Sequence, residues 1–184
     1  MPNYCSYNMK VKGEKQNVEE FIKIMKAKYN YHDMEFSYDR HMGGRVFEAN
    51  ATEVTLENGE YYSLISGSCA WSVSTCMRER GYYSDFKKDY KDKCRSTTLA
   101  IESKRLNLKI EVVSTEPGMC FAEHYIFNDG DLICEECVDY NEYPIYEFEN
   151  KEDAEKEYDI EITDTEWKSQ DYVCRGGFDI EWSI

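Results

Sequence analysis

Cys134 and Cys137 stand three apart in "DLICEECVDY", a spacing that structural zinc sites use. Such a site needs four ligands, and the chain has no second Cys-x-x-Cys and no histidine pair to supply the rest. Cys120, His124 and Cys174 would have to complete the set from neighbouring strands. In an extended strand, side chains three apart leave opposite faces, so the two thiols converge only where the backbone bends between them. Cys134 and Cys137 are thus the metal candidates, while the expectation is free thiols, no bound metal and no cofactor. The β-type flanks argue against a redox pair at a helix N-terminus.

Other reactive residue types lack partners by spacing. His32, His41 and His124 pair with no nucleophile, and Ser68, Ser72 and Ser74 are not set in a G-x-S-x-G elbow. Phosphate loops, dinucleotide fingerprints and H-E-x-x-H motifs are absent. Glu135 and Glu136 offer a carboxylate pair, but "NDGD" at 128–131 lacks the rest of a calcium loop and reads as a hairpin turn. The expectation is a protein without catalytic residues.

Charge carries more information. Residues 129–184 contain 19 Asp or Glu and 4 Lys or Arg, whereas residues 1–128 contain 18 of each, so the whole formal charge of −15 lies in the last 56 positions. A field so one-sided repels nucleic acid and membrane surfaces and attracts basic protein grooves. Asp139, Glu142, Glu147, Glu149, Glu152, Asp153, Glu155, Glu157 and Asp159 alternate with Tyr143, Tyr146 and, further on, Trp167. Those acids and aromatics are the expected partner-binding residues, because tyrosine and tryptophan are typical interface anchors. No apolar run approaches the roughly 20 residues of a membrane span, and the opening lacks the apolar core of a signal peptide, so a cytoplasmic protein is expected.

These residues sit on a pattern of strands and helices. Cys5, Tyr7, Met9 and Val11 alternate with polar residues as a half-buried strand that Gly13 ends. A helix follows with Asn17 placed to cap it, Glu20 in capping-box position, Val18, Phe21, Ile22 and Met25 as its apolar stripe, and Asn30 as terminator. Short β-rich pieces follow, broken by Gly43-Gly44 and Asn58-Gly59. A basic, tyrosine-rich insert spans Arg78 to Arg95, and Ser96 is placed to cap a second helix carrying Leu99 and Leu106. Leu108, Ile110 and Val112 begin a strand, Pro117-Gly118 predicts a type II turn, and Phe121, Tyr125 and Phe127 line the next strand, which Asn128–Asp131 turns into a third. Beyond Tyr140, Asn150 caps a short acidic helix, and "DIEIT" and "GFDIEWSI" read as strands, the latter with Phe178, Ile180, Trp182 and Ile184 on one face.

Three of these stretches together resemble the YubB-type ferredoxin-like domain, a family of small phage and plasmid proteins. "MPNYCSYNMKVKG" resembles its MPNWC-type opening, "CAWSV" at 69–73 resembles its TAWSPP motif without the prolines, and residues 106–132 resemble its strand, EPG turn and aromatic strand. The resemblance implies an α+β fold: a ferredoxin-like antiparallel sheet over residues 1–140 with two helices on one face and an insert near 74–95. It implies no catalytic residues. Residues 141–184 are then an acidic, β-rich extension packed on the same core. Phage-like ancestry and an acidic face together lead to the expectation of an inhibitor of a host defence nuclease, most specifically an anti-CRISPR protein that mimics nucleic acid in the groove of an RNA-guided DNA endonuclease. The alternative is a nucleic-acid-binding accessory protein that uses the insert at 78–95 to stack bases.

Overall fold

The computed structural model describes residues 3–30, 32, 35–42, 45–78, 95–178 and 181–184, and shows an α+β protein built on one large antiparallel sheet. In chain order its elements are β1 (Tyr4–Gly13), α1 (Lys15–Met25), β2 (Tyr29–Asn30), β3 (Glu35–Phe36), β4 (Arg40–Met42), β5 (Val46–Ala51), β6 (Thr55–Glu57) and β7 (Glu60–Ala70). After a π-type turn at Ser74–Arg78 come β8 (Arg95–Thr97), α2 (Leu99–Arg105), β9 (Lys109–Glu116), β10 (Phe121–Asn128), β11 (Asp131–Pro144), α3 (Lys151–Tyr158), α4 (Asp164–Ser169) and β12 (Tyr172–Gly176). The main sheet runs β12-β11-β10-β9-β1-β7-β5, with β6 also on β7; β2–β3 and the parallel pair β4–β8 form separate small sheets. No described helix is long and apolar enough to cross a membrane.

Alternation in β1 sets the core. Cys5, Tyr7, Met9 and Val11 are buried and lie opposite Cys69, Gly67, Ile65 and Ser63 of β7; Tyr7, Met9 and Val11 also face Ser114, Val112 and Ile110 of β9. Gly67 is required there, since a Cβ would sit about 2.0 Å from the Glu48 carbonyl oxygen and 2.7 Å from the Tyr7 hydroxyl. α1 closes this face with Val18, Phe21, Ile24 and Met25, while Ile22 packs at its margin; α2 adds Leu99. The two hairpins form as the turn residues dictate. Asn58-Gly59 and Asp129-Gly130 both take positive φ, and each joins its strands through a two-residue loop.

Several local expectations are corrected. The first helix begins two residues before Asn17, with Glu14 at its N-cap; the Asn17 side-chain amide instead donates to the Leu106 carbonyl at 2.7 Å, tying the two helical segments together. The helix ends at Met25, and Asn30 lies in β2. Thr98, not Ser96, caps α2, its hydroxyl accepting from the Ile101 amide, because Ser96 is occupied in β8. Pro117–Met119 form a 3₁₀ turn whose left-handed residue is Cys120, with φ 57, so Gly118 supplies no positive φ. The C-terminal extension is less β-rich than expected: "DIEIT" is irregular and leads into α4, and the strand in this region is β12, ahead of residues 177–184. Gly43-Gly44 and residues 79–94 of the insert lie outside the described residues.

Glu102 carries the polar join between α2 and the small parallel sheet. Its fully buried carboxylate accepts from Arg40 at 2.7 Å, from the Thr97 hydroxyl at 2.5 Å and from Arg105 Nε at 2.7 Å. Burial opposes its ionisation, but the Thr97 hydroxyl and the two guanidinium groups outweigh that and hold its pKa below the ordinary carboxylate value. Removing one member of a buried ion pair strands the other. Glu102→Ala is therefore expected to lower stability by about 3–5 kcal/mol in a chemical denaturation series, with a much smaller loss for the exposed Glu19→Ala.

Candidate partner-binding surface and the covered sheet face

The acids expected to bind a partner lie on a folded unit. Ile145, Ala154, Ile162 and Val173 form a second buried cluster, flanked by Tyr143, Phe148, Ile160 and Trp167. β11 enters this unit directly: residues 131–139 pair with β10, and Tyr140–Pro144 pair with β12. Asn150 caps α3 by accepting from the Asp153 amide at 2.9 Å, and Thr163 and Glu166 form a reciprocal capping box on α4. That "TDTE" box is a sequence signal for the helix that periodicity missed, since six residues are too few to show a period.

Carboxylates cover the outside. Asp139, Glu142, Glu147, Glu149, Glu152, Asp153, Glu157 and Asp159 are exposed; Glu155 is half-buried because it accepts the Ile162 amide at 2.9 Å and pairs with Lys151. Residues 139–176 hold 13 Asp or Glu against 4 Lys or Arg. Two of the cations are engaged internally, Lys151 with Glu155 and Asp164, and Arg175 with Glu166 at 2.8 Å. The aromatics divide by role. Tyr143 stacks near Tyr158 with ring centroids 5.1 Å apart, and Trp167 packs on the second cluster, so both are structural. Tyr146 is 50% exposed and meets Tyr172, 46% exposed, edge to face at 5.5 Å; Tyr172 is an exposed aromatic that the sequence reading passed over.

The thiols do not converge. Cys134 lies opposite Ile126 and Cys137 opposite Glu123, so the strand sends them to opposite faces, and Cys120 and Cys174 lie elsewhere, exposed. None of the seven described cysteines is in a disulfide. Glu135 and Glu136 separate for the same reason, the first pairing with Arg78 and the second with His124. Among the described residues one cluster brings metal-ligating atoms together: His124, Cys134 and Glu136, within 4.8 Å of one another. Burial and the neighbouring Glu136 and Glu111 carboxylates raise the Cys134 thiol above its usual pKa.

His124 leads to the feature least visible in the sequence. On the sheet face away from α1, Glu111 is 1% exposed and Val113 and Ala122 are also buried. The Glu111 carboxylate accepts from His124 Nε2 at 2.9 Å, from the Ser183 and Ile184 amides at 2.7 and 3.1 Å and from the Ser183 hydroxyl at 3.0 Å. Phe178 packs on His124 with centroids 5.4 Å apart, and Trp182 lines a shallow cleft of about 480 Å³ with Asn8, Asn50, Leu64 and Ser66. The described residues 177, 178 and 181–184 thus form a strap across the sheet, and none of them is in a strand. On the opposite face Glu123, also buried, accepts from the Val73 and Ser74 amides at 2.8 and 3.3 Å and from Ser114 and Tyr125, and so holds the "CAWSV" turn.

No protein-family model, curated protein or solved structure matches the chain.

Two outcomes follow from these contacts. Glu111→Gln weakens bonds to a charged acceptor worth about 1.5–3 kcal/mol each. Hydrogen exchange at the Ser183 and Ile184 amides should accelerate by roughly tenfold or more, while β1 amides keep their protection. Glu166, held by Arg175 and by the Thr163 amide and hydroxyl, has its pKa lowered from the ordinary carboxylate value to about 2. A depressed carboxylate stabilises the fold above its ordinary pKa and loses that contribution as pH falls through about 2. Glu166→Gln should therefore destabilise the protein at pH 7, and the gap to the parent should close as pH falls from 4.5 toward 2 in thermal melts.

Proposed function

We propose that this protein is a non-enzymatic inhibitor that presents the acidic unit at 139–176 to a basic, nucleic-acid-binding groove. The favoured target is an RNA-guided DNA endonuclease of a host defence system, met in the host cytoplasm. The observation that carries the reading is that exposed carboxylates are mounted on a packed unit with its own core. Over Glu152–Asp159 five acids and one lysine occupy eight residues, or about 12 Å at the helical rise. That is roughly one net negative charge per 3 Å, close to the 3.4 Å spacing of charge along one DNA strand. RNA-guided effectors hold their duplexes in positively charged channels by shape and backbone charge, so a fixed array of this density has a matching surface to enter.

The ancestry belongs to the same proposal. The order β9-β1-β7-β5, with α1 joining β1 to β5 and α2 joining β7 to β9, supports a ferredoxin-like βαββαβ reading of residues 4–116. Stretches that resemble the YubB-type family fall on β1, on the turn after β7 and on the β9–β10 pair. β10, β11 and the acidic unit then extend that arrangement at the β9 edge.

A cleavage-inhibition assay with a panel of RNA-guided DNA endonucleases tests the reading. The expected result is inhibition of at least one member, with binding that weakens steeply as salt rises. Neutralising Glu147, Glu149, Glu152, Asp153, Glu157 and Asp159 to amides should weaken that binding on the order of a hundredfold. Binding indifferent to both salt and the six substitutions overturns the mimicry.

A further inference from the structure

We infer that His124, Cys134 and Glu136 form a binding site for a thiophilic divalent cation of the zinc type, on the strapped side of the β10–β11 pair and independent of the acidic-surface reading. The donor set is the first argument. Imidazole nitrogen, thiolate sulfur and carboxylate oxygen are the ligand types zinc takes, and they come here from adjacent strands whose register is fixed by the β10–β11 ladder.

Distances give the second argument. His124 Nδ1 is 3.2 Å from Glu136 Oε2 and 3.9 Å from Cys134 Sγ. Tetrahedral coordination at ordinary zinc bond lengths sets nitrogen–oxygen and nitrogen–sulfur edges of roughly 3.3 and 3.6 Å. Two edges therefore stand near those of such a site, and the third, from Cys134 Sγ to the Glu136 carboxylate, lies within 4.8 Å.

The third argument is the tautomer. An ionised carboxylate only accepts, so the contact between Glu111 and His124 Nε2 requires the hydrogen on Nε2. Nδ1 lies on the side of Cys134 and Glu136, where a bound cation would take its lone pair in place of the present contact with Glu136. A buried carboxylate behind a ligating histidine is the usual outer arrangement of zinc sites, where it orients the ring and raises its basicity. Glu111 is thus a positioning residue. The same carboxylate holds Ser183 and Ile184, so the ligand histidine and the strap share one anchor. Three protein ligands leave a fourth corner for water or for a ligand from another molecule.

The test uses the full-length protein, purified, treated with chelator and reloaded with Zn²⁺ or Co²⁺. The expected result is one zinc per chain by native mass spectrometry and a cobalt–thiolate charge-transfer band. Cys134→Ser abolishes the band, and His124→Gln abolishes stoichiometric binding. Cys137→Ser, on the other face of the same strand, leaves both intact. Glu111→Gln should weaken zinc affinity 10- to 100-fold without removing the band, a result that a merely structural role for Glu111 does not give. Circular dichroism of each variant establishes that it is folded. Absence of the band in the folded parent, or a band that survives Cys134→Ser, overturns the site and leaves His124 as an imidazole clamped between two carboxylates.

Discussion

A carboxylate taken out of water must be given donors, and Glu111 receives four from two parts of the chain that are 59 or more residues distant from one another in sequence, His124 on one side and Ser183–Ile184 on the other. Burial without those donors would cost several kcal/mol. The strap over the sheet and the orientation of His124 are therefore consequences of one buried charge. Elsewhere the same device recurs. Glu123 holds the turn after β7, Glu102 holds β4 and β8 against α2, and Glu155 and Glu166 take the amides of Ile162 and Thr163 where the chain between α3 and α4 has no ladder. Wherever this backbone runs without regular hydrogen bonds, a carboxylate tends to be its acceptor.

That usage separates the acids into two populations. Glu102, Glu111 and Glu123 are buried and spend their charge inside the fold, and Glu155 and Glu166 are half-committed to the backbone of the second cluster. Those at 147, 149, 152, 153, 157 and 159 remain exposed. Of the four basic residues in that unit, Lys151 and Arg175 are engaged in ion pairs within it, while Lys156 and Lys168 are exposed among the acids.

Much of this was legible in the residues. Alternation found β1, β9 and β10, and the Asn-Gly and Asp-Gly pairs found both hairpins because only residues that tolerate positive φ fit their two-residue loops. Asn150 was readable as a cap because its amide oxygen has only a local partner to find. Asn17 was not, since its side chain is used by a carbonyl 89 positions away, and no local pattern encodes that contact. The alternation in 178–184 predicts a strand, but the Ser183 and Ile184 amides are taken by a buried carboxylate instead of a neighbouring strand. Nothing adjacent to Glu111 in sequence tells that its face of the sheet is covered. The cation cluster was half-visible. Cys134 and His124 were both named, but the Cys-x-x-Cys spacing drew in Cys137, which the pleat turns away, and passed over Glu136, two residues on and on the same side.

β11 runs for 14 residues, its first part bonded to β10 with a bulge at Ile133 and its last part bonded to β12. At the ordinary rise of about 3.3 Å per residue it is a beam of roughly 45 Å that passes from the main sheet to the second hydrophobic cluster. One strand thus ties the charged unit to the sheet, and for a surface mounted this way the ordering entropy that a loosely tethered acidic tail would forfeit on binding is largely spent during folding.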